Sequence, residues 1–314
     1  MPSILLNAAA VGFFAQAAYA YTQVNVASPF MRKNIDPIVF PGQYDKSHLH
    51  SFFGSDAVTI NTNTSAELQA GCTNAQNVND LSVYWVPTPL FTADGGTTWE
   101  PVGISRFSAY YNLGESEAEV AIPQNLKLVA GVATATTKEG MDASAKATWG
   151  CESQDVALDS NGFPSSTCNT HVQQLLYFPQ CVNTETLETA YADRTCPDGF
   201  KRMPQLRFSI RWDLRKNLPN GWSGEAPVKL ACGPAWCSHG DFINGWTEEA
   251  ATDMLKTTVE KQKYISVIGD GETADCTPAD PDPDHGTSDY AESVAAMSKR
   301  SVGSWGWKSR SRFM

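Results

Sequence analysis

The sequence predicts a mainly β protein: a single antiparallel β-sandwich or jelly-roll-like domain with long loops, one C-terminal helix and four disulfides. Three observations carry this. Residues 205–212 alternate strictly, with Leu206, Phe208, Ile210 and Trp212 on one face and Gln205, Arg207, Ser209 and Arg211 on the other, the pattern of a strand with one buried side. The other apolar runs are short and are separated by Gly, Pro, Asn and Asp, without the helical segments that βαβ units need. The cysteines number eight, an even count that fits a disulfide framework in an oxidising compartment.

Taken from the N-terminus, residues 1–20 carry no charged side chain, run apolar from Ile4 to Ala18 and end Ala18-Tyr19-Ala20. An apolar stretch closed by A-x-A is the signature of a secretory signal peptide. The expected organisation is therefore a signal peptide over 1–20, a secreted β-rich domain over 21–276 and a tail over 277–314. After cleavage no apolar run reaches the roughly 20 residues that span a bilayer. Further strands are expected at 81–86, 102–111, 119–122, 126–134, 172–178 and 228–231. A helix should begin after Trp246, with Thr247 as N-cap, Glu248 and Glu249 at the positive end of its dipole, and Ala251, Leu255 and Val259 on the packing face. Asn63-Thr64-Ser65 is the one N-glycosylation acceptor, in a polar stretch that reads as a surface loop.

Beyond residue 270 the composition changes. Positions 270–292 hold eight acidic residues and no Lys or Arg, with prolines and aspartates alternating from Pro278; positions 293–314 are basic. This composition predicts a disordered tail beyond Cys276, acidic and then basic, in which Lys299-Arg300 is a candidate dibasic processing site. The whole chain has a formal charge of −11, and removing the eight acids and five bases of 270–314 leaves a body of about −8. An acidic body argues against nucleic acid as a partner. It also disfavours polyanions unless a groove is locally basic.

Eight cysteines allow 105 connectivities. Local spacing favours Cys151–Cys168, Cys181–Cys196 and Cys232–Cys237, which leaves Cys72–Cys276 as a long closure. No C-x-x-C pair is present, which argues against a thiolate zinc site.

Five histidines are available: His48, His50, His171, His239 and His285. In an extended Ser47-His48-Leu49-His50 the period of two places both imidazoles on one face, where they can converge on one atom or proton. His239 and Asp241 bear the same relation, and the glycine between them permits unusual backbone geometry or close ligand approach. His48, His50 and His239 would complete a three-imidazole set for a divalent metal such as zinc or copper, with Asp241 as ligand or orienting group. The same four residues could instead act as acid–base groups. His171 is expected to pack or hydrogen-bond and His285 to be solvated. Among the nearby carboxylates Asp36, Asp45 and Asp56, Asp36 precedes a proline and has the signature of a turn residue. Tyr84-Trp85, Tyr110-Tyr111, Trp222, Trp236 and Trp246 are candidates for stacking on sugar rings. No G-x-S-x-G, H-E-x-x-H, P-loop or dinucleotide fingerprint occurs.

Several stretches taken together carry a family resemblance: Asp36-Pro-Ile-Val-Phe-Pro-Gly42, Ser47-His-Leu-His50, Ser82-Val-Tyr-Trp-Val-Pro87, Tyr177-Phe-Pro-Gln-Cys181, Met203-Pro-Gln-Leu206 and His239-Gly-Asp-Phe-Ile-Asn-Gly-Trp246. In that order, over roughly residues 30–276, they resemble a fungal secreted domain family of unknown function whose members are sometimes joined to wall-binding WSC modules. The resemblance implies a fungal, extracellular or wall-associated setting, and it singles out His48, His50, His239 and Asp241. The chain departs from the family pattern at 182–194, where later histidines of the family are missing. The expected function is action on cell-wall or extracellular polysaccharide, as a hydrolase or lyase. The alternatives are a non-catalytic glycan-binding wall or effector protein and a secreted metal-binding protein.

Overall fold

The computed structural model describes residues 21–112, 118–256 and 274–301. The expected signal peptide therefore lies outside the described residues. Ten strands build two large sheets: β1 (Tyr21–Val26), β2 (Met31–Lys33), β3 (His50–Gly54), β4 (Val83–Pro87), β5 (Ile104–Asn112), β6 (Lys127–Gly131), β7 (Thr148–Cys151), β8 (Val172–Tyr177), β9 (Gln205–Trp212) and β10 (His239–Ile243). One sheet has the order β1-β5-β9-β8-β7 and the other β2-β3-β4-β10-β6, and every neighbouring pair is antiparallel. Two three-stranded sheets of very short strands lie beside them. The mainly β expectation holds.

The strand at 205–212 forms as its alternation requires. Leu206, Phe208, Ile210 and Trp212 are buried in a core that also takes Phe107, Ala109 and Tyr111 from β5 and Phe53, Tyr84, Leu128 and Phe242 from the second sheet. Aromatic rings lock the two sheets together: Phe53 stacks on Phe107 at 4.4 Å and Tyr84 meets Phe208 at 5.8 Å between centroids. The second sheet is covered on its other face too. Phe52, Val83, Trp85 and Ile243 pack there beneath Ile35, Val58, Ile60 and Leu68. Strands buried on both faces lose their alternation, and every residue of β3, β4 and β10 is buried. That is why β3 and β10 do not read as strands in the sequence. The expected strand at 119–122 is irregular backbone.

The helix after Trp246 runs Glu248–Met254, and the Thr247 side chain accepts from the Ala250 amide as its cap. Ala250, Ala251 and Met254 are buried on it; Leu255 is its half-buried C-cap and Val259 lies outside the described residues. A short helix, Ser65–Gln69, carries a complete capping box between Thr64 and Glu67. It begins beside the glycosylation sequon, whose Asn63 is exposed. All four disulfides pair as spacing favours: Cys72–Cys276, Cys151–Cys168, Cys181–Cys196 and Cys232–Cys237. No described helix is long and apolar enough to cross a membrane.

Between residues 277 and 301 the expected disorder gives way to a docked strap. Lys33, buried in β2, donates to both oxygens of Asp280 at 2.8 Å and to the Asp282 carbonyl. Tyr44 donates to Asp282 at 2.5 Å, and Asn34 and Thr287 exchange hydrogen bonds. A helix, Tyr290–Ser301, follows. The acidic composition reads as solvated, yet a buried lysine needs an acceptor and these aspartates supply it. Residues 302–314 lie outside the described part.

Asp80 gives the fold a pH dependence of its own. Its carboxylate is fully buried and accepts from Tyr84 at 2.5 Å and from the Ser82 amide at 3.1 Å. Burial raises its pKa to about 6 against those bonds. The folded state then holds this proton more tightly than the unfolded state, so stability falls as pH rises from about 4 to 6. The loss is roughly 3 kcal/mol at 1.36 kcal/mol per pKa unit. Asp80→Asn should lack that part of the slope, because the amide can accept from Ser82 and donate to the Tyr84 oxygen. Urea midpoints at a series of pH values check this, and parallel slopes in the two proteins would refute it.

Candidate metal centre

The order β3-β4-β10 brings two distant sequence motifs onto one face. His50 opens β3 and His239 opens β10. With side chains alternating across a strand, His50 shares its face with Phe52, and His239 shares its face with Asp241 and Ile243. Asp241 stands opposite Trp85, and Phe52 opposite Trp85 from the other side. These residues point away from the sandwich core and toward the segment 34–49, which carries Asp36, Ser47 and His48.

All four residues singled out in the sequence meet there. Ring centroids lie 4.2 Å apart for His48–His50, 4.9 Å for His48–His239 and 5.5 Å for His50–His239. Ligand atoms of His50, His239 and Asp241 all fall within 4.8 Å of one another. His48 and His239 form a second such group with Cys232. Cys232 is bonded to Cys237, so it offers no thiolate.

Hydrogen bonds decide which ring nitrogens carry protons. Nδ1 of His50 lies 3.0 Å from the Ile35 carbonyl, and Nδ1 of His239 lies 2.8 Å from the Cys237 carbonyl. A carbonyl only accepts, so both Nδ1 atoms are N–H donors. Both Nε2 atoms are then bare lone pairs, and they face each other at 3.3 Å. His48 Nε2 and both oxygens of Asp241 are also shielded from solvent without a partner. Two imidazole lone pairs thus face one small region that also holds the unpartnered His48 Nε2 and Asp241 carboxyl, and buried polar atoms without a partner are costly. Either a shared proton or a metal cation would satisfy them. Burial works against a proton on the imidazoles: it pushes His239 down to about 4 and, with the neighbouring imidazoles, holds His48 and His50 well below 6.5. Burial, then the charge of Asp36, drives Asp241 well above the ordinary carboxylate range. Without a cation that carboxyl keeps its proton; a divalent cation would instead favour its ionised form while suiting imidazoles that are already held neutral.

Gly240, between the two site residues of β10, has a different purpose from the one its position implies. Its backbone is ordinary strand and its open side faces the sandwich core. A Cβ there would lie 2.6 Å from Leu176 and 2.9 Å from Phe208. The glycine lets the sheets approach and leaves the site face untouched.

Other candidates go elsewhere. His171 is bound by Glu152 and His285 by Asp282. Asp36 accepts from the Ile38 and Val39 amides as a turn residue, and Asp56 accepts from the Cys72 and Ala279 amides. Tyr84, Trp85, Tyr111 and Trp246 are fully buried, which removes them as sugar platforms. The carbonyls of Ile35 and Cys237, which orient the two imidazoles, have no signature in a sequence. Cys237 ends a one-turn 3-10 helix, Ala235–Cys237, inside the smallest disulfide loop, so a covalent ring holds the His239 partner in place.

Comparison with known proteins gives one finding. The family model described as Domain of unknown function (DUF1996) matches residues 36–246, a span that starts at the Asp36 turn, ends at Trp246 and encloses the whole cluster. No curated protein and no solved structure matches the chain.

Proposed function

From the premise that the chain belongs to the DUF1996 family, we propose that it is a secreted metalloprotein. In this reading His48, His50, His239 and Asp241 hold one divalent transition metal, zinc or copper. The observation that carries the reading is the pair of bare Nε2 atoms at 3.3 Å, each fixed by an N–H···O bond on its far side. Imidazole nitrogens with one carboxylate suit zinc and copper better than calcium or magnesium, which take oxygen ligands. The Nδ1–H···O=C bonds are the outer support that metal-bound imidazoles use to fix tautomer and ring orientation. When bound, such an ion polarises oxygen ligands and can lower the pKa of a coordinated water. His50 and Asp241 are fully closed from solvent, His239 is 4% exposed and His48 is half-buried. A small ligand can approach from the His48 side, whereas a polymer cannot meet the other three groups directly. That asymmetry favours metal binding over direct acid–base attack on polysaccharide by bare histidines.

Secretion, a fungal wall setting and a glycan on Asn63 belong to the same proposal. The four disulfides support an oxidising compartment, and Asn63 is exposed. The test is elemental analysis of protein purified without chelator or affinity tag metal, paired with turnover on a polysaccharide panel. One zinc or copper per chain, lost in His50→Ala, supports the metal centre. Sub-stoichiometric metal in the unmodified protein after reloading would sink it. Turnover abolished by chelator assigns the metal to catalysis, and stoichiometric metal without turnover assigns it to binding alone.

A further inference from the structure

The outward face of the other sheet, β1-β5-β9-β8-β7, is a basic, polar surface on an acidic protein. The five strands contain no Asp or Glu in a chain that has 34 acidic residues, and they contain Arg106, Arg207 and Arg211. Register sets their outward side chains in rows that cross the strands. One row is Gln23, Tyr110, Arg207 and Tyr177. The next is Asn25, Ser108, Ser209 and Leu175. The third places Arg106 opposite Arg211, with Gln173 beyond it.

These rows make a trough. The middle row is short, and its serines are buried between the longer neighbours. On one side the Arg207 guanidinium lies 4.1 Å from the Tyr110 ring centre and 5.7 Å from that of Tyr177. On the other, two arginines stand directly across from each other, an arrangement that costs stability by itself. Glu152 neutralises Arg211; among the described residues no carboxylate pairs with Arg106 or Arg207. All three guanidinium Nε atoms are shielded from solvent and unpartnered. The rows of Arg207 and Arg211 are four residues apart along β9, about 13 Å at 3.3 Å per residue. The floor is ordered beforehand: Ser108 and Gln23 both donate to the Asn25 side-chain Oδ1 at 2.7 Å, and Gln173 donates to Ser209 at 3.2 Å.

We propose that this face binds an anionic polysaccharide of the polyuronate type, its carboxylates meeting Arg106 and Arg207 and its hydroxyls meeting the half-buried amides of Asn25 and Gln173. Charge complementarity selects the anion, since planar guanidinium groups recognise carboxylates by paired hydrogen bonds. The amides select the sugar, since side-chain amides both donate to and accept from ring hydroxyls, and the buried serines hold those amides in place. Single-stranded nucleic acid needs open aromatic faces for its bases, and here the Tyr110 face is taken by Arg207. The locally basic groove that an acidic body would need for this substrate class is present, on the opposite layer from the histidine cluster, so the inference stands apart from the metal reading.

The full chain should be retarded in native gels cast with polygalacturonate, less so as salt rises, and should run unretarded with a neutral β-glucan. Arg106→Gln and Arg207→Gln should each weaken the interaction by roughly tenfold, the worth of one charge-assisted contact, with unchanged melting as the check on folding. Lys201→Gln, away from this face, should bind as the unmodified protein does. The proposal is overturned by absence of retardation, by equal retardation in neutral glucan, by tighter binding of an oligothymidylate, or by folded arginine variants that bind normally. If Arg207→Gln does not fold, Arg106→Gln alone decides.

Discussion

Loaded with zinc or copper at about 100 times its dissociation constant, the protein should melt roughly 5–10 °C above the same preparation stripped by chelator. A ligand at that excess stabilises the folded state by about 2.7 kcal/mol, and each kcal/mol moves the midpoint by about 2–4 °C in a domain of this size. His239→Ala should melt at one temperature with or without metal, because it removes one of the two facing Nε2 atoms. Asp241→Asn separates a site from a merely structural cluster. In the metal-free protein a buried carboxyl group without any partner is a liability, and a neutral amide of the same shape is no worse, so this variant should be about as stable as the stripped parent while losing the metal increment. Calorimetry on the parent and the two variants checks all three statements. Equal midpoints for loaded and stripped parent would remove the metal centre.

The expectation rests on groups that were partly legible before any coordinates. A histidine two residues from a histidine, and an aspartate two residues from a histidine, put like chemistry on one face of any extended segment. His239 and Asp241 do share a face of β10, whereas His48 precedes β3 and reaches His50 and His239 from the covering segment. What no spacing could show is that β4 lies between β3 and β10 and brings the two pairs together, since sheet order is a tertiary fact. The strand character of His50–Gly54 and His239–Ile243 was hidden by the same burial that makes the site. With Phe52 and Trp85 packed on one side and Phe53 and Phe242 on the other, there is no polar alternation to read. Gln205–Trp212 was legible because one of its faces is polar. The strap at 277–301 misled through composition: alternating Pro and Asp reads as disorder unless the partner, a buried lysine 247 residues away in sequence from Asp280, is known. The basic trough was concealed in a similar way, its arginines diluted by a net charge of −11 until register collected them on one face.

Replacing Cys72 and Cys276 together by serine should cost about 5 kcal/mol and lower the melting midpoint by about 10–20 °C, because this bridge closes a separation of 204 residues. The same chain-entropy argument gives only about 3 kcal/mol for Cys151–Cys168, with a separation of 17. The two losses should differ in kind as well as size. Cys276 anchors the start of the strap, whose Ala279 amide bonds Asp56 and whose Asp280 holds Lys33. Lys33 is the register partner of His50, and Asn34, also bonded to the strap, precedes the Ile35 carbonyl that fixes the His50 ring. Untethering the strap therefore loosens the edge from which the first imidazole is aimed. Metal should still bind the Cys72/Cys276 double variant, but more weakly than the parent at a temperature where both are folded. The Cys151/Cys168 variant, whose bridge lies on the other sheet at β7, should lose stability and keep the parent's metal affinity. Calorimetric titration of both variants distinguishes the outcomes, and equal weakening in the two would show that the strap has no special bearing on the site.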